Sequence, residues 1–214
     1  MPPILKGLLT FVFAPALAAL TILLIVVASG HASYVGVGAL CGALFGLLYS
    51  LEAGILTIYD LSSSLGWVQL IVDMTWSLPN TVFGFVVGNL FYWFFGSPSR
   101  ADSENAGWIV FTPYGGSGFG TNVLQTLGTV NLGGAGQHER MHLLQARVFG
   151  PLYLPIFAVN YVITFLIQVL WTFTLGGVLW LTNIREKPYF RPPQNCAIGG
   201  SPGASAVAKF SVTA

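Results

Sequence analysis

Charged side chains are scarce in this sequence. Only 7% of its 214 residues are Asp, Glu, Lys or Arg, whereas an ordinary soluble domain carries about 25%. Hydrophobic residues instead make up 54% of the chain. This composition excludes an ordinary soluble domain and predicts an integral membrane protein, whose first partner is the lipid bilayer.

The sequence also lacks an excess of basic residues and a closely spaced pair of cysteines. Eight basic and seven acidic residues leave a net charge of +1, so nucleic-acid binding by phosphate neutralisation is excluded. Cys41 and Cys196 are the only two cysteines, and they lie far apart without CxxC spacing. The cysteines therefore predict neither a thiolate metal site nor a dithiol redox centre.

Long apolar runs are what the chain has in abundance. The first covers residues 8–28, with Pro15 inside it, and is long enough to cross a hydrocarbon core of about 30 Å. Lys6 before this run and small residues after it are also typical of a secretory signal. The length of the run favours a retained transmembrane helix instead.

A second apolar run, residues 34–59, carries glycine at every fourth position. These glycines are Gly38, Gly42 and Gly46. Small residues at this spacing let another backbone approach closely, which is how helices associate in lipid. We expect this helix to pack through the three glycines against a neighbour.

The third apolar region, residues 65–95, is interrupted by the sequence SLPN at residues 77–80. Proline removes a backbone donor and clashes with the preceding turn. Two layouts fit: one long kinked span, or an interfacial or re-entrant helix over residues 66–78 followed by a short membrane helix. A last apolar segment, residues 152–181, predicts the final span.

Residues 97–137 have a different composition, with Gly, Ser, Asn and Thr around the short β-prone pieces WIVFTPY and LGTVNL. They predict a small extramembrane strand and loop element that brings an edge strand over the next helix. The fold class is therefore mainly α, a polytopic integral membrane protein with about four membrane helical regions. The predicted divisions are residues 1–96, 97–137, 138–182 and a polar tail, 183–214.

The pattern H-E-x-x-H occurs once, at His138, Glu139 and His142, at the start of a helix predicted over residues 138–149. Residues four apart are neighbours on a helix, so both imidazoles can coordinate one zinc ion. Glu139 would then act as the general base that takes a proton from the attacking water. The spacing therefore predicts a zinc cofactor with two protein ligands.

A third zinc ligand is harder to place. Glu186 is the only acidic residue downstream of the motif, and Asp73 competes with it because an ionisable group in an apolar segment is usually functional or paired. The alternative for Asp73 is a carboxylate that is paired with an arginine or capped by backbone near the interface. The alternative for the motif helix is an interfacial amphipathic helix, with Arg140 and Arg147 snorkelling toward headgroups.

The run HERMHLLQARVFGPLYLP, with Gln145 and a Gly-Pro-Leu-Tyr turn after the motif, resembles a group of poorly characterised bacterial integral membrane proteins. More remotely it is similar to zinc metallopeptidases of the zincin type. The resemblance covers residues 138–155. It implies that His138 and His142 are zinc ligands, that Glu139 is the general base, and that the protein lies in a bacterial inner membrane.

Two functions follow from these observations. The first is a membrane-embedded, zinc-dependent, metallopeptidase-like hydrolase that acts on a peptide or lipid-linked carbonyl at the membrane surface. The second is a non-catalytic structural or assembly subunit of a larger membrane protein complex. Such a subunit would keep the motif helix as a scaffold and bind other membrane subunits.

Overall fold

A computed structural model describes residues 1–114, 125–133, 137–171 and 173, without the side chains of Gln137, His138 and Gln168. Within these ranges the chain is mainly helical, with a small four-stranded sheet, as the sequence predicts. The chain forms two compact units, Met1–Pro151 and Leu152–Ala214. Each unit is described by itself.

Among the described residues, three helical stretches are long and apolar enough to cross a membrane: Pro3–Ala28, Ala32–Ile55 and Glu139–Trp171. A bent pair, Ser64–Met74 and Leu78–Tyr92, raises this number to four if it counts as one span. Many apolar side chains on these helices are exposed. That exposure is compatible with helices that face lipid.

The first two helices form a hairpin. α1 (Pro3–Ala28) begins earlier than predicted and continues through Pro15, and a 3-10 turn, Ala32–Tyr34, connects it to α2 (Val35–Ile55). The predicted glycine face of α2 lies against α1 of the same chain. A Cβ atom added to Gly42 would lie 2.6 Å from the Ala18 carbonyl oxygen, and one added to Gly46 would lie 2.5 Å from the Pro15 Cα.

The end of α2 is a Schellman motif. The Ile58 N–H donates to the Ala53 carbonyl at 3.1 Å, and the Thr57 N–H donates to the Gly54 carbonyl at 3.2 Å. Thr57 consequently has a φ of 51°, in the left-handed region where glycine is usual at this position. A side chain with a Cβ costs about 1–2 kcal/mol in that conformation, so Thr57 is a strained residue.

The third apolar region forms two helices, α3 (Ser64–Met74) and α4 (Leu78–Tyr92), bent by 83° at the break. Ser63 caps α3 by accepting a hydrogen bond from the Gly66 N–H at 3.1 Å. Pro79 lies in the first turn of α4, where its missing N–H costs nothing. The sharp bend is closer to the second predicted layout than to a single kinked helix. We call residues 75–80 the elbow.

The strand and loop region forms a four-stranded sheet with the spatial order β1-β2-β4-β3. Its strands are β1 (Gly96–Pro98), β2 (Ile109–Pro113), β3 (Gln125–Leu127) and β4 (Val130–Leu132), and a short helix, α5 (Arg100–Ser103), follows β1. β2 and β4 are parallel, and the other pairs are antiparallel. The piece LGTVNL forms a tight hairpin, since β3 and β4 are antiparallel neighbours. Gly128, with a φ of 53°, starts the turn between them.

The sheet lies between two helical layers. On one face, Phe111 and Val130 belong to the main apolar core together with residues of α1 to α4. On the other face, Trp108 and Val110 pack against Leu143 of α6 (Gln137–Phe149). A 3-10 turn, Gly150–Leu152, follows α6. In the second unit, α7 (Tyr153–Trp171) is described only as far as Trp171, so the predicted end of this span lies outside the described residues.

We expect Gly42→Leu to destabilise the α1–α2 hairpin by about 1–3 kcal/mol, because the new side chain would collide with the α1 backbone. Thermal unfolding of the detergent-solubilised protein measures this loss. Gly36→Leu is the matched control, because a Cβ atom at Gly36 meets nothing within 4 Å. Equal melting temperatures for the two variants would contradict the assignment of this packing face.

Candidate functional site

The buried stripe of α6 faces the rest of the first unit. Glu139, Leu143, Ala146 and Gly150 are buried at successive turns, while Arg140, next to Glu139 in the chain, is exposed. Below this stripe, Val110, Asn131 and Thr126 lie opposite one another on β2, β4 and β3, so their side chains share a sheet face. The motif helix therefore lies across the sheet.

Glu139 is a buried residue of the H-E-x-x-H motif. Its side chain is 4% exposed, and its Oε2 accepts a hydrogen bond from the Thr126 hydroxyl at 2.6 Å. The Thr126 hydroxyl in turn accepts from Asn131 Nδ2 at 3.0 Å. Glu139 thus points inward, toward the strand element, and β3 is an edge strand within the described part of the sheet.

The remaining motif residues lie on the flank of this stripe. His142 is partly buried, and the side chain of His138 lies outside the described residues. Gln145 follows one turn after His142, and its Oε1 atom is buried without a hydrogen-bond partner among the described residues. By helical spacing, residues 138, 142 and 145 occupy adjacent positions on one flank.

Asp73 forms an ion pair with Arg147. The Arg147 Nε donates to Asp73 Oδ1 at 2.8 Å and its Nη2 to Oδ2 at 2.7 Å, which is the bidentate arrangement that arginine favours with carboxylates. The side chain of Asp73 is fully buried and that of Arg147 is 12% exposed. The arginine alternative predicted for Asp73 is therefore confirmed, and the prediction that Arg147 snorkels toward headgroups is wrong.

Further hydrogen bonds complete this ion pair. Arg147 Nη2 also donates to the Gly107 carbonyl at 2.6 Å, and the Tyr59 hydroxyl donates to Asp73 Oδ2 at 2.8 Å. Burial, followed by the negative charge of Asp73, raises the pKa of Tyr59 well above its ordinary value. Tyr59 therefore stays a neutral donor, and its oxygen also lies 2.8 Å from the Tyr49 hydroxyl.

The elbow binds the carboxyl end of α6. Ser77 Oγ donates to the Ala146 carbonyl at 2.9 Å, and Asn80 Nδ2 donates to the Gly150 carbonyl at 2.7 Å. Trp76 Nε1 donates to the Val148 carbonyl at 3.1 Å. The last carbonyls of a helix have no partner within the helix, so the elbow supplies the donors that α6 needs in an apolar setting.

The described residues contain no group of three or more His, Cys, Asp and Glu side chains placed to hold a metal ion. Asp73, one of the predicted third zinc ligands, is instead part of the ion pair, because both of its carboxylate oxygens accept hydrogen bonds from Arg147. Glu186, the other predicted ligand, lies outside the described residues. Gln145 is the only remaining polar group of the flank with a buried, unpartnered oxygen in the described ranges.

Comparison of the chain with family models, with curated proteins and with solved structures gave no match. The resemblance of residues 138–155 to zincin-type proteins consequently stays a hypothesis that depends on those residues alone.

Two groups of residues at this site were not found from the sequence. Thr126 directly precedes the β-prone piece LGTVNL, and its hydrogen bond to Glu139 on α6 leaves no local pattern in the sequence. The elbow residues Trp76, Ser77 and Asn80 lie in or next to a recognised helix break, but the break indicated only an interruption. The sequence did contain a signal at the break, because side-chain hydrogen-bond donors that cluster in an apolar region need acceptors nearby.

We expect Arg147→Met to destabilise the protein by about 3–5 kcal/mol, because it leaves the Asp73 carboxylate buried without its partner. The double variant Asp73→Leu with Arg147→Met should recover much of that loss, since no unpaired charge remains. Chemical unfolding in detergent measures both. The matched control is Arg140→Met on the exposed side of the same helix. An Arg147→Met variant as stable as this control would contradict a structural role for the ion pair.

Proposed function

We propose that this protein is a membrane-embedded, zinc-dependent hydrolase that acts at the membrane surface, with His138 and His142 as ligands and Glu139 as the general base. The observation that supports it best is the position of Glu139. The carboxylate is buried on the sheet-facing side of α6 and is oriented by Thr126 of the edge strand β3. The local resemblance to bacterial membrane proteins favours a bacterial inner membrane as its location.

The side-chain atoms on this flank of α6 are of the kinds that bind zinc. Two imidazoles four residues apart on one helix are a common pair of zinc ligands. Gln145 adds a buried oxygen without a hydrogen-bond partner in the described part of the chain, one turn beyond His142. Zinc held at this flank would polarise the substrate carbonyl and increase the acidity of water.

Glu139 has two tasks in this reaction. Its carboxylate takes a proton from the attacking water and later delivers that proton to the leaving amine or alcohol. The Thr126 hydroxyl holds the carboxylate in one orientation, and Asn131 holds Thr126. Because β3 is one of the two edge strands within the described sheet, an extended peptide can lie alongside it by backbone hydrogen bonding. That arrangement favours a peptide as the substrate.

One observation favours the second function, a structural or assembly subunit. Asp73, one of the two carboxylates predicted as a third zinc ligand, is committed to Arg147 and Tyr59. In such a subunit, the motif helix would serve as a scaffold that the ion pair, the elbow and the sheet hold in place. Glu139 would then be a buried hydrogen-bond acceptor for Thr126.

Metal analysis combined with Glu139→Gln separates the two functions. We expect about one zinc ion per purified chain, lost in His138→Ala and in His142→Ala but retained in Glu139→Gln. Hydrolysis of a peptide library in detergent should fall by a factor of about 10²–10⁴ in Glu139→Gln, because an amide cannot accept the proton. Arg140→Gln is the control for an exposed neighbour on the helix. Wild-type protein without zinc would reject the hydrolase and leave the structural subunit.

Thr126→Val tests the orientation of Glu139. It removes the hydroxyl that donates to Oε2 and keeps the size of the side chain. We expect kcat to fall by about tenfold to a hundredfold with KM and zinc content unchanged, as for other residues that orient a reacting group. Thr126→Ser, which restores a hydroxyl, should recover most of the activity. If Ser and Val behave alike, Thr126 does not position Glu139.

A further inference from the structure

A groove of about 380 Å³ runs between the first turns of α1 and the last turns of α2. Its floor is formed by Gly7 and Gly54, where the two backbones are so close that a Cβ atom on Gly7 would lie 2.7 Å from the Gly54 oxygen. Its apolar walls are exposed side chains of both helices, namely Ile4, Leu8, Phe11, Leu51 and Ile55.

The polar end of the groove carries Arg100 and Thr57. Arg100 is exposed, and it has no ion pair within the described ranges. Thr57 is 3% exposed, yet its hydroxyl has no hydrogen-bond partner among the described residues. A buried hydroxyl without a partner is costly, so this end of the groove offers both a cation and an unused hydrogen-bonding group.

The polar end lies where the helices end. α1 begins at Pro3 and α2 ends at Ile55, and both helices are long and apolar enough to cross a membrane. In a bilayer that both helices cross, Arg100 and Thr57 would lie at headgroup level, whereas Leu8 and Phe11 would lie deeper, among the acyl chains. Lys6 is nearby but is engaged by Asp60 and Asn105.

We propose that this groove binds an anionic phospholipid. One acyl chain lies along the apolar walls, the phosphate accepts hydrogen bonds from the Arg100 guanidinium, and a phosphate oxygen accepts from the Thr57 hydroxyl. A basic residue beside a gap between membrane helices is the arrangement that recognises anionic headgroups. The apolar walls favour a lipid over free phosphate as the ligand, because free phosphate would leave the walls uncovered. This site does not depend on the proposed hydrolase.

The probe is the full chain in nanodiscs of phosphatidylcholine doped with phosphatidylglycerol, and the measurement is the ratio of the two lipids retained after mild detergent extraction. Wild-type protein should enrich phosphatidylglycerol. Arg100→Gln should lower that enrichment about fivefold, which corresponds to about 1 kcal/mol for one cation near the anionic surface. Arg140→Gln, which removes an exposed arginine elsewhere, should leave the enrichment unchanged. An equal loss in both variants would overturn the site in favour of a general surface charge effect.

Thr57→Gly removes the hydroxyl from the groove without destabilising the fold. Glycine relieves the left-handed strain at this position, so the melting temperature should hold or rise while the phosphatidylglycerol enrichment falls. Unchanged enrichment would remove Thr57 from the site. Glycerol phosphate, a headgroup without a chain, should not displace the bound lipid. Full displacement by glycerol phosphate would show an anion site without the groove and would overturn the lipid proposal.

Discussion

The ion pair between Asp73 and Arg147 is the interaction on which the first unit depends. It joins α3 to α6 across 74 residues of sequence, and it is buried among apolar side chains, where an unpaired charge would be very costly. Tyr59 and the Gly107 carbonyl complete its hydrogen bonds. The loop after α2, the loop before β2, α3 and the motif helix therefore all meet at one charged contact.

The elbow and the sheet act together with this ion pair. The elbow supplies side-chain donors to the last carbonyls of α6, while Thr126 binds Glu139 near the beginning of the helix. A helix held at both ends and in the middle presents the same side chains in the same positions. Such rigidity suits a catalytic constellation, which must be positioned closely, and it equally suits a scaffold. For that reason metal content, and not the rigidity of the helix, separates the two proposed functions.

Much of the fold follows from local patterns. The scarcity of charge and the long apolar runs predict membrane helices, and the helix break at SLPN predicts either one kinked span or two segments. The glycine spacing in α2 predicts a close helix contact, and the structure places α1 on that face. At the site, helical spacing predicts that positions 138 and 142 are neighbours. Which residue binds Glu139, and which arginine pairs with Asp73, could not be predicted, since a hydrogen bond or an ion pair across the sheet or between distant helices leaves no local pattern.

The sequence by itself determined the mainly helical fold class, the approximate helices, the strand pieces and the motif, because these depend on composition and on periodicity within a few turns. Only the tertiary structure decided that Asp73 belongs to Arg147, that LGTVNL folds as a hairpin, and that Glu139 lies against the edge strand. The physical reason is that a buried charge or hydroxyl must find its partner wherever the packing of apolar surfaces brings one close. That packing joins residues that are far apart in the chain.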